Sequence, residues 1–116
     1  MFSDLALLNR LYDRFNARDM EAVIAVMHPD ILWANGMEGG HVNGRQGVRE
    51  YWTRQWAVID PHVEPMSFAT GPVKETIVEV HQTVRDLAAQ LLSDKVVCHI
   101  FRIEGGLISR FDIRNP

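Results

Sequence analysis

The sequence predicts an α+β fold in which three N-terminal helices pack on a curved antiparallel sheet. Two observations lead to this prediction. Before Pro61, apolar residues recur at helical spacing in three segments. After Pro61, four segments are rich in β-branched residues and are separated by turn-forming residues. Helices followed by an antiparallel meander bury their apolar faces by packing against one another, which is the arrangement of an α+β domain.

Each helix is predicted from its apolar stripe and from the residues that end it. The second helix, at residues 19–27, ends before Pro29, which turns the chain into a short strand at 31–35. Glycines follow that strand, and a third helix at 45–59 ends before Pro61. The first helix has an apolar stripe formed by Leu5, Leu8, Leu11, Tyr12 and Phe15.

The last hairpin predicts which side chains of the β-rich segments share a face of the sheet. Residues 104–106 read as a three-residue turn, which pairs His99 with Phe111 on the face that packs on the helices. The opposite face mixes apolar and charged groups, and we expect a second copy of the chain to cover it in a homodimer. The predicted strands are 63–70, 74–85, 91–103 and 107–113. The predicted outer face comprises Val96, Cys98, Ile100, Arg102, Ile108, Arg110, Asp112 and Arg114.

Length, charge and cysteine content narrow the class of protein. The chain has 116 residues, and we expect a single domain, 1–116. Its net charge is −3, so neither nucleic acid nor an anionic membrane is an expected partner. No apolar run reaches the roughly 20 residues of a membrane span, and the N-terminal segment lacks the basic leader of a signal peptide. The single cysteine fits a reducing compartment, which predicts a cytoplasmic protein.

All three tryptophans fall within residues 31–56, on the first strand and the third helix. Trp33 and Asn35 share one face of the strand. Trp52 and Trp56 lie one turn apart on one face of the helix. Large aromatic rings beside a neutral amide predict the wall of an apolar cavity with one polar anchor. The alternative interpretation is that the indoles only pack the core.

The chain resembles the nuclear transport factor 2-like superfamily, and most closely its SnoaL-like branch, in the order of its elements. The segments DMEAVIAVM, REYW and FRIEGGLISRFDI also fit that pattern, and the resemblance covers essentially the whole chain. It implies a cone-shaped, cystatin-like fold in which a bent sheet wraps around the first helix and a pocket opens at the wide end. It also implies a homodimer.

The chain departs from the known enzymes of this superfamily at their acidic residues. In an alignment with ketosteroid isomerases, Asn35 stands at the position of the general base and His99 at that of the oxyanion-hole acid. An amide cannot abstract a carbon-bound proton at neutral pH. Residues 33–35 resemble the Tyr-x-Asn pair of limonene-epoxide-hydrolase-like enzymes, whose catalytic aspartate on the last strand matches Ile113. The resemblance therefore implies a pocket that lacks its usual acids.

His99 and Asn35 are the predicted catalytic residues. An imidazole titrates near neutral pH, so His99 is the candidate general acid or base, and Asn35 would orient an oxygen atom or a water. The alternatives are a neutral core histidine bonded to Tyr12 and an amide that ties down the glycine-rich loop. A hairpin turn at residues 88–89 would place Gln82 in the pocket. The predicted ligand-binding residues are Tyr12, Trp33, Trp52, Trp56, Gln82 and Phe111.

The sequence leaves two functions open. The first is a SnoaL-like pocket protein that acts as an acid–base enzyme, of isomerase, hydrolase or cyclase type, on a hydrophobic carbonyl or epoxide substrate. The second is a non-catalytic ligand-binding or dimerisation module of the same fold. Neither a metal nor a cofactor is expected, because the five histidines show no i,i+4 pair and no HxH spacing.

Overall fold

The computed structural model describes residues 4–116, which form three helices and one six-stranded sheet. The helices are α1 (Asp4–Asn16), α2 (Met20–Ile24) and α3 (Gly44–Trp56). The strands are β1 (Met27–Ala34), β2 (His41–Asn43), β3 (Ile59–Thr70), β4 (Thr76–Asp86), β5 (Leu91–Glu104) and β6 (Leu107–Arg114). This architecture confirms the predicted α+β fold.

The strands are arranged in the order β2-β1-β6-β5-β4-β3. All neighbours are antiparallel except β1 and β6, which run parallel. The prediction of a fully antiparallel sheet is therefore wrong for this one pair. The four strands after α3 form the expected meander, and its last strand closes against β1, on which α3 packs.

The second helix is shorter than the apolar stripe predicts. α2 follows Asp19, whose side chain accepts a hydrogen bond within the first turn. It ends at Ile24, because Met27 already belongs to β1. Pro29 lies within that strand rather than in a turn before it. The pairing of β1 with β6 is irregular around this proline, which has no N–H to donate to a ladder.

The third helix also ends earlier than predicted. α3 stops at Trp56, and Ile59 begins β3 instead of ending the helix. Pro61 therefore lies inside a strand. β3 is at the edge of the sheet, where a residue without an N–H is tolerated. A register shift between Pro65 and Ser67 is a bulge of the kind that bends a sheet.

The last hairpin has a different register from the predicted one. Its turn consists of residues 105–106, two glycines with φ of 58° and 78°. A further register shift lies beside Ile103. As a result, His99 pairs with Ile113 and not with Phe111. The combined offset is an even number of residues, so His99 and Phe111 still lie on the same inner face, and both are buried.

The irregular pairing near the turn also changes the outer face. Ile108, expected on that face, is completely buried in the core. Ile100 remains half-buried there, Val96 is 36% exposed and Cys98 is 9% exposed. The outer face is therefore less apolar than the sequence predicts.

The core fills the space between the helices and the inner face of the sheet. Leu8, Val48, Trp52 and Val78 are almost completely inaccessible to solvent. α1 packs on β3 and α3 packs on β1, so the helices cover one side of the sheet. Among the described helices, none has the length and apolar character needed to cross a membrane.

Candidate functional site

The space enclosed by the helices and the curved sheet contains a cavity of about 370 Å³. This volume lies in the range of pockets that bind small organic molecules. The walls come from α1, from the end of β1 and the loop after it, from α3, and from the inner faces of β3–β6. The apolar lining includes Leu11, Phe15, Trp33, Trp52, Val63, Phe101, Phe111 and Ile113.

Tyr12 and His99 form a buried hydrogen-bonded pair in this lining. The Tyr12 hydroxyl lies 2.7 Å from Nδ1 of His99, and the two rings are stacked with their planes 8° apart. The two residues are 3% and 6% exposed. The edge of Phe111 packs against the imidazole at a centroid distance of 4.8 Å. The structure therefore has the arrangement of the core-histidine alternative, in which Tyr12 is the partner of His99.

Burial holds both groups of this pair in their neutral forms. It lowers the pKa of His99 from 6.5 to about 3, and it raises the pKa of Tyr12. Within residues 4–116, Nε2 of His99 has no protein partner. The pair therefore offers the cavity an N–H donor when Tyr12 donates to Nδ1, or a lone pair when Nδ1 carries the proton.

Asn35 does not line the cavity, contrary to its predicted catalytic role. Its Oδ1 accepts hydrogen bonds from the backbone N–H groups of Met37 and Glu38, at 3.0 and 2.9 Å. Its backbone N–H donates to the Gly40 carbonyl oxygen, and its carbonyl oxygen accepts the Gly39 N–H. Through Oδ1 the side chain forms an Asx-type turn that closes the glycine-rich loop. This is the arrangement of the alternative interpretation, in which the Asn35 amide ties down the glycine-rich loop.

Two of the three tryptophans form the cavity wall. Trp33 stacks on Phe111 with ring centroids 4.0 Å apart, and it also makes edge contacts with Trp52 at 5.4 Å and with Phe101 at 6.4 Å. Trp56 is not among the residues that line the cavity. It stacks on Trp52 and contacts the ring of Phe15 in α1, at centroid distances of 5.4 and 5.5 Å. The Arg18 guanidinium lies 5.2 Å from its ring centroid. Trp56 therefore fixes the end of α3 against α1.

The remaining predicted residues, Gln82 and Phe111, lie in the cavity lining. Gln82 follows Val80 on the inner face of β4, opposite Lys95 in the ladder. His81 points to the other face, where Nε2 is 2.5 Å from Oδ1 of Asp94. The structure therefore brings His99, Tyr12, Trp33, Trp52, Gln82 and Phe111 to one cavity and leaves Asn35 and Trp56 outside it.

Sequence reasoning missed Tyr51 as a pocket residue. Tyr51 is 3% exposed and lines the cavity together with Gln55, one helical turn away. Gly36 N donates to the Tyr51 hydroxyl oxygen at 3.0 Å, and Gln55 Nε2 donates to it at 3.1 Å. The signal was present in the sequence, because Val48, Tyr51 and Gln55 are spaced at three and four residues on one helix face.

The cavity lining is almost free of formal charge. Lys95, exposed at the cavity edge, is its one charged residue among those described. Asp112 lies on the outer face, where it bonds to His41 and Arg110. Burial alone would raise the pKa of Asp112, but these two hydrogen bonds outweigh it and lower the pKa. In the described part of the chain, no group of three or more His, Cys, Asp or Glu side chains is arranged to hold a metal ion.

A helical layer on a curved sheet, with a cavity between them, defines the nuclear transport factor 2-like class of pocket proteins. The family model of the SnoaL-like domain matches residues 8–111, and the chain belongs to that family. No curated protein sequence matches the chain.

Solved structures of the same fold are similar along almost the whole chain. A protein of unknown function from Burkholderia pseudomallei is 21% identical with a TM-score of 0.86, over 100% of this chain and 92% of that one. TerC, co-crystallised with polyporic acid, is 22% identical with a TM-score of 0.83, over 97% and 90%. A hypothetical protein with a ketosteroid isomerase-like fold from Catenulispora acidiphila, in complex with trimethylamine, is 14% identical with a TM-score of 0.79, over 92% and 82%. At these identities the likeness establishes the fold.

Proposed function

We propose that this protein binds a flat, hydrophobic small molecule that carries a carbonyl oxygen. The observation that supports this proposal is an aromatic-walled cavity with neutral hydrogen-bonding groups and no carboxylate among its described lining residues. Trp33 and Trp52 provide extended faces for a ring system. The Tyr12–His99 pair offers a hydrogen bond to an oxygen atom inside the cavity. Co-crystallisation of TerC with polyporic acid supports small-molecule binding in this fold.

Binding is favoured over proton abstraction for two reasons. A general base works best when its pKa is close to the operating pH, whereas burial lowers the pKa of His99 to about 3. Asn35, the other predicted catalytic residue, is engaged in the loop turn and does not reach the cavity. The groups required for an acid–base mechanism therefore do not converge on one point.

A second candidate function rests on the same pair. A neutral imidazole can polarise a carbonyl by donating a hydrogen bond, and this assists the formation of an enol. The 2.7 Å bond between Tyr12 and His99 orients the imidazole for this role. His99 would then act as an electrophile on an enolisable ketone, and a solvent water would have to take the proton.

The binding proposal can be tested with 2-acetylnaphthalene, a flat bicyclic ketone, by isothermal titration calorimetry. Val84→Trp fills the cavity from β4, and Thr83→Trp is the matched control, since both residues are half-buried and lie on opposite faces of the same strand. We expect saturable binding to the wild type and to Thr83→Trp, and a large loss in Val84→Trp. Equal affinity in all three proteins, or no binding to the wild type, would refute the proposal.

The same ketone distinguishes the two candidate functions. In D2O, an enzyme that enolises the acetyl group accelerates exchange of its methyl protons for deuterium, which NMR follows directly. We expect no acceleration by the wild-type protein. Acceleration that disappears in His99→Gln would establish the catalytic candidate instead.

We also propose that a second copy of the chain covers the outer face of the sheet. Ile77 and Ile100 are ladder neighbours there and are both half-buried in the isolated chain. The face also contains charges of both signs, Glu79 and Arg114 among them, which suits a two-fold interface. In sedimentation, Ile100→Asp should be monomeric, whereas Thr53→Asp, at an exposed position of α3 on the other side of the sheet, should remain dimeric. A monomeric wild type would contradict the proposed homodimer.

We propose a cytoplasmic location on the evidence of the cysteine content. The single cysteine, Cys98, is buried and free, which suits a reducing compartment. Recovery of the native protein in the cytoplasmic fraction of its host tests this location, and recovery only outside that fraction would contradict it.

A further inference from the structure

The cavity has a polar edge that lies away from the Tyr12–His99 pair. Gln82, Ser93 and Lys95 line the cavity from neighbouring inner-face positions of β4 and β5. Gln82 pairs with Lys95 in the ladder, and Ser93 comes two residues before Lys95 on the same strand. Gln82 and Ser93 are half-buried and Lys95 is exposed, so this edge is where the cavity meets solvent.

Lys95 brings a positive charge to this edge that no acidic side chain in residues 4–116 neutralises. Its ammonium makes no ion pair within that range. The adjacent acid, Asp94, lies on the other face of β5, where it contacts His81. None of the described aspartates and glutamates lines the cavity, although the chain has a net charge of −3. The cavity edge is therefore locally positive on a protein that is negative as a whole.

The spacing along β5 relates Lys95 to the hydrogen-bonding group deeper in the cavity. Alternation places Lys95, Val97 and His99 on the inner side of the sheet, and no register shift interrupts the pairing with β4 between them. Lys95 and His99 are four residues apart, which is about 13 Å along a strand. A lysine has a flexible four-carbon stem and three N–H donors, so its ammonium can adjust to a group at the edge. One flat ligand can therefore reach both residues.

We infer that Lys95, with Ser93 beside it, forms a subsite for an anionic group at the end of the ligand away from its carbonyl. The ligand class is then a flat aromatic ketone with a carboxylate or another acidic group at the opposite end. An ammonium only donates hydrogen bonds and a carboxylate only accepts them, and the Ser93 hydroxyl can rotate to donate a further one. The inference rests on the proposed function, since it specifies the far end of the same ligand.

A pair of probes of equal size tests the subsite. 6-Acetyl-2-naphthoate and 6-acetyl-2-naphthamide have the same rings and the same ketone, and they differ at the far end by a charged oxygen in place of NH2. Lys95→Met removes the charge and keeps a long, unbranched side chain. Lys74→Met is the matched control, because Lys74 is the only other lysine and is exposed in the turn between β3 and β4, outside the lining. Calorimetry gives the ratio of the two dissociation constants for each protein, and comparing these ratios cancels the cost of dehydrating the probes.

We expect Lys95→Met to shift that ratio against the carboxylate by about threefold to fivefold, the size expected of an ion pair at a solvent-exposed edge. Lys74→Met should leave the ratio unchanged, and Lys95→Arg, which keeps the charge, should retain most of the preference. Lys95→Gln provides the same comparison if Lys95→Met does not fold.

The possible failures separate the subsite from the proposed function. If both probes bind and Lys95→Met does not change the ratio, or Lys74→Met changes it equally, the subsite is refuted and the proposed function stands. If 2-acetylnaphthalene binds the wild type but neither longer probe does, the subsite alone is refuted. If none of the three compounds binds, both proposals are refuted.

Discussion

Burial of His99 makes the stability of the fold depend on pH in a specific direction. The imidazole is 6% exposed, and its pKa falls from 6.5 to about 3 on folding because burial disfavours the charged form. Between these two values the unfolded chain binds a proton that the folded chain does not. Above pH 6.5 the free energy of unfolding is therefore not reduced by His99, and it declines as the pH falls from 6.5 towards 3.

The size of this effect follows from the two pKa values of His99. Lowering the pH from 7 to 5 takes the unfolded imidazole from mostly neutral to almost fully protonated, while the folded one stays neutral. Linkage then predicts a loss of about 2 kcal/mol in the free energy of unfolding over this range. The slope approaches about 1.4 kcal/mol per pH unit below the unfolded pKa.

Urea denaturation at pH 7 and pH 5 measures this loss, with His99→Gln as the control. Glutamine does not titrate and can still accept a hydrogen bond from Tyr12. The other four histidines are common to both proteins, so their contribution cancels. We expect the wild type to lose about 2 kcal/mol more than the variant. An equal loss in the two proteins would show that His99 is protonated in the folded state or exposed, and the reasoning would fail.

Two further predictions concern residues that the structure places outside the cavity. Asn35→Asp keeps the acceptor for Met37 and Glu38 and should retain stability. Asn35→Ala removes this acceptor and should lower the free energy of unfolding by about 1 kcal/mol. Equal losses in urea denaturation would show that the Asn35 oxygen does not stabilise the loop. Trp56→Phe should lower stability but leave the dissociation constant of 2-acetylnaphthalene unchanged. Trp52→Phe should change that dissociation constant. If calorimetry finds the opposite, Trp56 contacts the ligand and this prediction fails.

The inner face of the sheet could be predicted although its register could not. The predicted hairpin turn was one residue too long, and a shift beside Ile103 added a second offset. Successive side chains of a strand point to opposite faces of the sheet. Two register offsets of one residue each therefore leave His99 and Phe111 on the inner face that was predicted for them. Ile108, between the turn and the shift, changed sides. Alternation of apolar residues is a strong signal along a strand, whereas a local bulge depends on packing that a single strand does not reveal.

The polar groups of the site were harder to predict because their partners are distant in the sequence. Asn35 and Tyr51 are both suitable pocket residues by type. Which of them reaches the cavity depends on the loop, where Oδ1 of Asn35 bonds to Met37 N and the Tyr51 hydroxyl bonds to Gly36 N. A helix-face pattern identifies Tyr51 as inward, but it cannot show that the hydroxyl oxygen already accepts two hydrogen bonds.

The electrostatics of the cavity lead to a last prediction, about binding instead of stability. His99 is neutral above pH 3 or so, and burial raises the pKa of both Tyr12 and Tyr51, so none of these groups changes charge between pH 5 and 9. The affinity for the neutral ketone 2-acetylnaphthalene should therefore be flat across that range, even while stability falls on the acid side. Calorimetry at pH 5, 7 and 9 tests this, with the folded fraction checked at each pH. An affinity that changes near pH 6.5 would mean that His99 titrates in the folded protein, and the cavity would then recognise its ligand by charge as well as by hydrogen bonds.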